Sequence, residues 1–374
     1  MHLKDRVRRA QASMSEYGVN ALLITTGTNL AFLSGFDNQS LARPNFLLIP
    51  QDGSPTLLVQ EGRQFEARRS TGLADIRTYH ELSIAPIAEL GHLLEEMGVR
   101  RGRIGMELGY EQRLGLPITE FERMREELSP ASFVDAADLL WGLRMIKSEE
   151  DIEAHRRACK LTDTAYAQVF ASVGLGITEQ EAARRLQSAL LSESDGAWIA
   201  VTSGSGNYDA LMGRGTDRTL AQGDMLWFDS GCRINGFWSD YGRGGVIGGP
   251  SHDQIDLQYQ INRITMEGVA MVRPGAPVSE IASHCNAAVA ALNIPITSCV
   301  SGLAGRVGHG IGFEVTEPPH VSEEDTTLLQ PGMIITIEPG VATEFGIFHI
   351  EQNVLVTDDG HELLSHAPWE LQSL

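Results

Sequence analysis

The strongest constraint in the sequence is the stretch from Gly223 to Gly244, because it predicts a hairpin in one register. Asn235 and Gly236 both tolerate the positive φ that a type I′ turn requires, so this pair is a strong hairpin signal. With the turn at these two residues, Ile234 pairs with Phe237. That pairing sets the register of both strands.

The register brings two acidic side chains together. Asp240 falls opposite Gly231, and Asp229 falls opposite Gly242. Side chains alternate between the faces of a strand, so both carboxylates lie on one face, roughly 7–8 Å apart at their Cα atoms. We expect the two glycines to keep a gap open between them.

Two carboxylates on one face repel each other and lose hydration unless a cation or a shared proton compensates. The apolar residues Leu226, Phe228 and Trp238 lie alongside and favour a buried cation site. The alternative is that both acids only end their strands in solvent. The hairpin by itself leaves both interpretations open.

Three further residues outside the hairpin have the chemistry of metal ligands. His309 lies between Gly308 and Gly310, which let the backbone approach a bound group closely, although a lone histidine is commonly a satisfied core or surface residue. Glu338 ends an apolar strand. Glu351 lies inside another apolar strand, where a carboxylate is costly to bury unless it is paired or binds a metal.

Together these residues form a set of four carboxylates and one imidazole. Such a set suits two divalent cations with mostly oxygen ligands, such as Mn²⁺, Co²⁺, Fe²⁺ or Zn²⁺. A bridged pair of ions can hold a hydroxide at neutral pH and polarise the bond under attack. The predicted metal ligands are Asp229, Asp240, His309, Glu338 and Glu351.

Composition excludes several other classes of protein. The chain has 374 residues, 42% hydrophobic and 21% charged, which is ordinary for a globular protein. A formal charge of −20 disfavours binding to nucleic acid or to anionic membranes. The four cysteines form no CxxC motif, and neither a signal peptide nor a membrane-spanning stretch is recognisable. We therefore expect a cytoplasmic protein.

The pattern of elements changes partway along the chain. Before that change, strands alternate with helices, which predicts an α/β domain over residues 1–145. Ser148 and Asp151 form a helix-start signature just after it. The remainder, residues 146–374, is rich in antiparallel strands and predicts an α+β domain that contains all five candidate ligands.

The five candidate ligands, in this order and spacing, resemble the pita-bread metallopeptidase family, which includes aminopeptidase P, prolidase and methionine aminopeptidase, with creatinase as a metal-free relative. Residues 143–163 look like the entry to that family's catalytic domain, and residues 18–36 look like the N-terminal domain of the creatinase and prolidase branch. The resemblance implies a creatinase-like C-terminal domain with two divalent ions, Mn²⁺ or Co²⁺ being favoured. It also implies a smaller α/β N-terminal domain and a homodimer.

The chain departs from the family at three positions. Met212 and Thr316 stand where the family usually has histidines that bind substrate and relay protons, and His349 stands where it usually has an arginine. Methionine cannot transfer a proton, and threonine donates or accepts only weakly. These departures leave the reaction open even though the ligand set is complete.

Three functions compete. The first and preferred one is an Xaa-Pro dipeptidase or aminopeptidase that acts on small peptides by another proton route, through Glu338, His320 or His349. The second is a hydrolase or lyase that acts on a small molecule at the same kind of metal centre. The third is a non-catalytic interaction module, which would be expected to have lost metal ligands.

Overall fold

A computed structural model describes residues 3–40, 42–82, 84–208 and 213–374 of the protein. The chain forms two compact units, Met1–Arg144 and Met145–Leu374. The first is α/β and the second is α+β, which confirms the predicted fold class. Within the described ranges, no helix combines the length and apolarity that a membrane crossing needs.

The first unit is built on a six-stranded mixed sheet. Its elements are α1 (Leu3–Met14), β1 (Ala21–Thr25), α2 (Thr28–Ser34), β2 (Phe46–Pro50), β3 (Thr56–Gln60), a 3₁₀ turn (Glu61–Arg63), α3 (Gln64–Ser70), β4 (Asp75–Tyr79), α4 (Ile87–Glu96), β5 (Arg103–Met106), α5 (Ile118–Glu127), β6 (Ser132–Asp135) and α6 (Ala137–Met145). The strand order is β4-β3-β2-β1-β5-β6. Strands β1 and β2 are buried along their whole length, as their continuous apolar sequences predict.

Edge strands β4 and β6 are not evident from the sequence pattern. Both carry charged residues and stay only partly buried. Helix α2 is also not evident from the sequence, since it has only seven residues and is bounded by Gly27 and Gly35. Gly35 ends the helix in the left-handed conformation with φ of 77°.

The described part of the second unit contains three sheets and five helices. Its elements are α7 (Glu149–Phe170), α8 (Glu179–Leu190), β7 (Gly196–Ser203), β8 (Met225–Ile234), β9 (Phe237–Trp238), β10 (Tyr241–Val246), α9 (His252–Ala270), α10 (Val278–Ala290), β11 (Ser298–Cys299), α11 (Val300–Ala304), β12 (His309–Gly310), β13 (Glu317–His320), β14 (Ile334–Ile337), β15 (Gly340–Thr343), β16 (Gly346–His349), β17 (Gln352–Val356), β18 (His361–Leu363) and β19 (Gln372–Ser373). The strand orders are β19-β10-β8-β7 with β9 on β8, β11-β15-β16, and β13-β12-β14-β17-β18.

Two apolar cores hold these sheets and helices together. Helices α7 and α8 share one core with β8, in which Tyr166 stacks on Tyr241. Helices α9 and α10 share the other core with β14, β16 and β17. Helix α7 begins at Ser148, whose side chain forms the predicted capping box with Asp151.

The predicted hairpin is confirmed. Asn235 and Gly236 both have positive φ, 52° and 88°, and Ile234 pairs with Phe237. Farther from the turn, Asp229 pairs with Gly242 in the expected register. The second strand is interrupted between β9 and β10, so Asp240 lies in the break rather than in a regular ladder.

The expected gap between the two glycines is wrong. The space beside Gly231 is filled by the backbone carbonyl of Ser239, and the space beside Gly242 is filled by the imidazole of His349. A side chain at either position would overlap these atoms. The glycines therefore admit close neighbours instead of holding a cavity open.

Candidate metal centre

The predicted ligands come from strand ends and strand breaks of the second unit. They are Asp229 on β8, Asp240 between β9 and β10, His309 at the start of β12, Glu338 directly after β14, and Glu351 between β16 and β17. Asp240, His309 and Glu351 are buried, whereas Asp229 and Glu338 are partly buried. Because these elements belong to different sheets, only their packing brings the side chains to one place.

The imidazole of His309 lies among three carboxylates. Its Nδ1 is 3.0 Å from the carbonyl oxygen of Gly310, which can only accept, so the hydrogen is on Nδ1 and Nε2 carries a lone pair. From Nε2, the distances are 3.6 Å to Oδ2 of Asp240, 3.3 Å to Oε1 of Glu338 and 3.9 Å to Oε1 of Glu351. Burial lowers the pKa of His309 to about 4, so the ring is neutral at pH 7. A lone pair facing three carboxylate oxygens is the arrangement that a cation between them would satisfy.

Two groups of three residues have potential ligand atoms within 4.8 Å of one another in the described part of the chain: Asp240, His309 and Glu351, and Glu338, His349 and Glu351. Glu351 belongs to both groups. Asp229 belongs to neither, although it lines the same pocket and its charge raises the pKa of Asp240. Glu351 could therefore contribute a ligand atom to either group.

Several buried oxygens in this cluster have no hydrogen-bond donor among the described residues. They are Oδ1 of Asp229, Oδ1 of Asp240, and both Oε atoms of Glu351. Burial raises the pKa of Asp229 to about 7 and raises the pKa values of Asp240 and Glu351 well above their ordinary range, with neighbouring carboxylates adding to the effect. Carboxylates that take up protons this readily fit divalent cations, which would replace those protons.

Glu338 behaves differently from the other acids. Although burial acts to raise its pKa, a hydrogen bond with His349 and electrostatic interactions with His309 and His349 lower it to about 2. Nε2 of His349 lies 3.2 Å from Oε2 of Glu338 and therefore carries the hydrogen. The ring of His349 also meets Trp227 edge-on, with centroids 5.6 Å apart. His349 is thus fixed beside a carboxylate whose pKa is lowered.

Residues that the sequence analysis did not identify hold the ligands in place. The side-chain amide of Asn353 donates to the backbone carbonyl of Asp240, and its Oδ1 lies 3.0 Å from Nε2 of His155. Burial lowers the pKa of His155 to about 3, so this ring is a neutral donor. Arg243, fully buried, donates to the backbone carbonyl of Glu351 over 2.8 Å. Asn353 and Arg243 contact the backbone of two ligands, and His155 contacts Asn353, so the sequence alone does not reveal that these three residues support the site.

A pocket of about 560 Å³ opens onto the cluster. Its walls are mostly apolar and include Trp198, Trp227, Val300, Leu303 and Val315. One cation, Arg306, and one hydroxyl, Thr316, also line it. A small, largely apolar substrate with a few polar groups would fit such a site.

The remaining candidate residues lie around Arg306. Thr316 accepts a hydrogen bond from Nη2 of Arg306 over 3.3 Å, and Nδ1 of His320 accepts one from Nη1 over 2.9 Å. His320 is not among the described residues that line the pocket. Met212 lies outside the described residues. The sequence analysis missed Arg306, although it lies three residues before His309.

Comparison with known proteins supports the resemblance. The model of metallopeptidase family M24 matches residues 153–358, and the creatinase/prolidase N-terminal domain matches residues 6–146. An Xaa-Pro dipeptidase of Pyrococcus horikoshii is 26% identical over 99% of this chain and 99% of its own. The peptidase YqhT of Bacillus subtilis is 27% identical over 98% of this chain and 99% of its own.

Solved structures show the same fold over the whole chain. An Xaa-Pro dipeptidase from Bacillus anthracis superposes with a TM-score of 0.85 at 21% identity, with 100% of both chains covered. Dipeptidase PepE from Mycobacterium ulcerans superposes with a TM-score of 0.83 at 26% identity, with 99% of this chain and 97% of the other covered. These likenesses confirm the pita-bread fold expected from the arrangement of the candidate ligands.

Proposed function

Because the chain belongs to metallopeptidase family M24, we propose that it is a divalent-metal-dependent Xaa-Pro dipeptidase or aminopeptidase. The observation that carries the proposal is the unprotonated Nε2 of His309, which faces oxygens of three carboxylates. Full-length relatives named Xaa-Pro dipeptidase support the preference for a bond before proline. The complete ligand set argues against a non-catalytic interaction module.

The residues that would hold two divalent ions are the five predicted ligands, Asp229, Asp240, His309, Glu338 and Glu351. Carboxylate-rich sites of this kind suit Mn²⁺ or Co²⁺, with Zn²⁺ and Fe²⁺ as alternatives. The chemistry that such ions supply is Lewis-acid activation of a water and of the carbonyl under attack. The apolar walls of the pocket would keep bulk water from competing for the same site.

His349 is the candidate proton donor to the departing amine. Its Nε2–H points at Oε2 of Glu338, which stays ionised and so holds the hydrogen on that nitrogen. A proline nitrogen is a poor leaving group, and general acid help is typically worth about 10²–10⁴ in rate. His320 is a weaker candidate because it is not among the described residues that line the pocket, whereas His349 is.

The assembly in this proposal is a homodimer, as expected for the creatinase and prolidase branch. Oligomers of a single chain most commonly have twofold symmetry. Light scattering at micromolar concentration should give a mass near twice the 40.7 kDa of one chain. A mass of one chain across the concentration range would contradict a stable dimer.

The metal centre and the activity can be tested together. After loading with Mn²⁺ or Co²⁺, we expect elemental analysis to give up to two ions per chain and Asp240→Asn to lower that number. Asp358→Asn, at an exposed acid after β17, is the matched control. Hydrolysis is then measured on a panel of Xaa-Pro dipeptides and tripeptides. A loaded protein that cleaves none of them would refute the peptidase proposal.

One observation favours a second candidate function, a hydrolase or lyase acting on a small molecule. Thr316 replaces a histidine of the family, and its hydroxyl is occupied by Arg306 instead of being poised over the metal ligands. Small amidines and cyclic amides therefore belong on the same assay panel. Turnover of one of these without Xaa-Pro hydrolysis, unchanged in Thr316→His, would assign the centre to this second chemistry.

A further inference from the structure

A segment without regular secondary structure forms part of the pocket that opens onto the candidate metal centre. This wall segment comprises residues 311–316 and connects β12 to β13. Two of its side chains, Val315 and Thr316, line the pocket. The wall segment lies outside the strand ladders, whose repeated hydrogen bonds fix a backbone in place. Other contacts must therefore set the position of these two side chains.

The buried side chain of Glu317, directly after the wall segment, makes one such contact. Its Oε1 accepts a hydrogen bond from the backbone nitrogen of Glu314 over 2.9 Å. This bond ties the start of β13 back to the wall segment and encloses Val315 and Thr316 in a single turn. A hydrogen bond at a buried site is stronger than the same bond in water, because the local dielectric constant is low. The position of the Glu317 carboxylate therefore sets the position of the turn.

Lys147 holds the carboxylate of Glu317 in place. Its Nζ lies 3.6 Å from Oε2 of Glu317, and both side chains are only 1% exposed. The backbone nitrogen of Lys147 donates to the carbonyl oxygen of Gly332 over 2.9 Å, which anchors the lysine close to the start of β14. Moving the two side chains apart would leave two buried charges uncompensated, which is strongly unfavourable. The ion pair thus links the anchored lysine to the wall segment.

The wall segment also packs directly on this ion pair. A Cβ atom at Gly312 would lie 2.8 Å from Oε2 of Glu317 and 2.9 Å from Cε of Lys147, so only a glycine lets the backbone approach this closely. The next residue, Phe313, meets Phe237 of the hairpin edge-on, with ring centroids 5.3 Å apart. The wall segment therefore contacts both the ion pair and the hairpin.

We propose that Glu317, held by Lys147, is a positioning residue that places the Val315 and Thr316 wall of the pocket against the substrate. This inference rests on the proposed function, because it assigns substrate binding to the same pocket. Neither Lys147 nor Glu317 is among the described residues that line the pocket, so both act through the wall segment. A wall contact that substrate and transition state share lowers KM and leaves kcat unchanged.

Two double variants separate this role from a contribution to stability. Lys147→Met with Glu317→Leu removes both buried charges together, so neither is left uncompensated, but it also removes the acceptor for the amide of Glu314. Lys147→Met with Glu317→Gln removes the same charges and keeps an oxygen that can accept from that amide. Lys160→Met with Glu153→Leu, at two exposed residues of α7, is the matched control.

Steady-state kinetics of the Mn²⁺-loaded proteins on Xaa-Pro substrates gives the first readout. We expect the leucine double variant to raise KM about tenfold and to change kcat by less than about threefold. The glutamine double variant should recover most of this loss, to within about threefold of the parent KM. Metal content should stay equal to that of the parent. Hydrogen exchange of a peptide covering residues 311–317 should be faster in the leucine variant than in the glutamine variant, because the amide of Glu314 has lost its acceptor.

A parent-like KM in the leucine double variant would overturn the inference. Equal impairment of both double variants, or a lower kcat with an unchanged KM, would do the same. If the leucine variant does not fold, hydrogen exchange of the parent decides, since we expect the amide of Glu314 to be protected and exchange at the rate of an exposed amide would contradict its anchoring. If no peptide is cleaved, the proposed function alone fails, and equal exchange in the two double variants would then overturn the inference separately.

Discussion

Glu107 is buried in the first unit, and no cation among the described residues forms an ion pair with its carboxylate. Its Oε2 accepts hydrogen bonds from the backbone nitrogen and the hydroxyl of Thr25, over 2.9 and 2.7 Å, and Asn29 approaches its Oε1 at 3.4 Å. These donors and the charge of Arg144 lower its pKa, but burial dominates and raises it from an ordinary 4.5 to about 7. The folded protein therefore binds a proton here that the unfolded chain has already released at pH 6.

The difference in the pKa of Glu107 between the folded and unfolded states determines how stability changes with pH. Stability contributed by the protonated carboxyl is fully present below pH 4.5 and is lost as pH rises through about 7. Each tenfold change in proton affinity is worth about 1.4 kcal/mol, so the whole loss is about 3 kcal/mol. Glu107→Gln removes the titration and keeps an oxygen that accepts from Thr25. We expect the two proteins to differ little at pH 4.5, and the variant to be more stable by about 3 kcal/mol at pH 8.

Urea denaturation at four pH values from 4.5 to 8 measures this difference. Hydrogen exchange of a peptide covering residues 21–25 reports the first unit separately from the second. Other titrating groups contribute equally to the pH dependence of stability in both proteins, so their contributions cancel in the difference. Glu122→Gln, at an exposed acid of the same unit, serves as the control. Stability curves that run parallel for parent and Glu107→Gln would refute the assignment of a raised pKa to this carboxyl.

Three other predictions concern the second unit. Gly242→Ala places a methyl group on the ring of His349, so we expect lower metal content and lower activity in a protein that still folds, as measured by elemental analysis and circular dichroism. Lys147→Met removes the cation 3.6 Å from the buried carboxylate of Glu317 and should cost about 3–5 kcal/mol in urea denaturation, whereas the same change at exposed Lys160 should cost little. Ser148→Ala breaks the capping box of α7 and should cost about 1 kcal/mol, with no change in metal content.

The sequence by itself determines the features that depend on neighbours along the chain. The hairpin register follows from Asn235 and Gly236, because a two-residue turn fixes which residues face each other. The start of α7 follows from Ser148 and Asp151, which cap it within one turn. Continuous apolar runs likewise indicate the buried strands β1 and β2. The type of each candidate ligand is also visible, because carboxylates and an imidazole stand out among apolar residues.

Tertiary structure alone decides what lies next to those residues. No local rule places the ring of His349 in the space beside Gly242, since β10 and β16 belong to different sheets. The same holds for Arg306, whose anchors come from a strand that follows it and from the loop before that strand. Side-chain direction within one strand has a period of two, but distances between sheets depend on how whole elements pack. The types of the candidate ligands could therefore be predicted from the sequence. The position of the Arg306 charge in the pocket wall depends on how the elements pack.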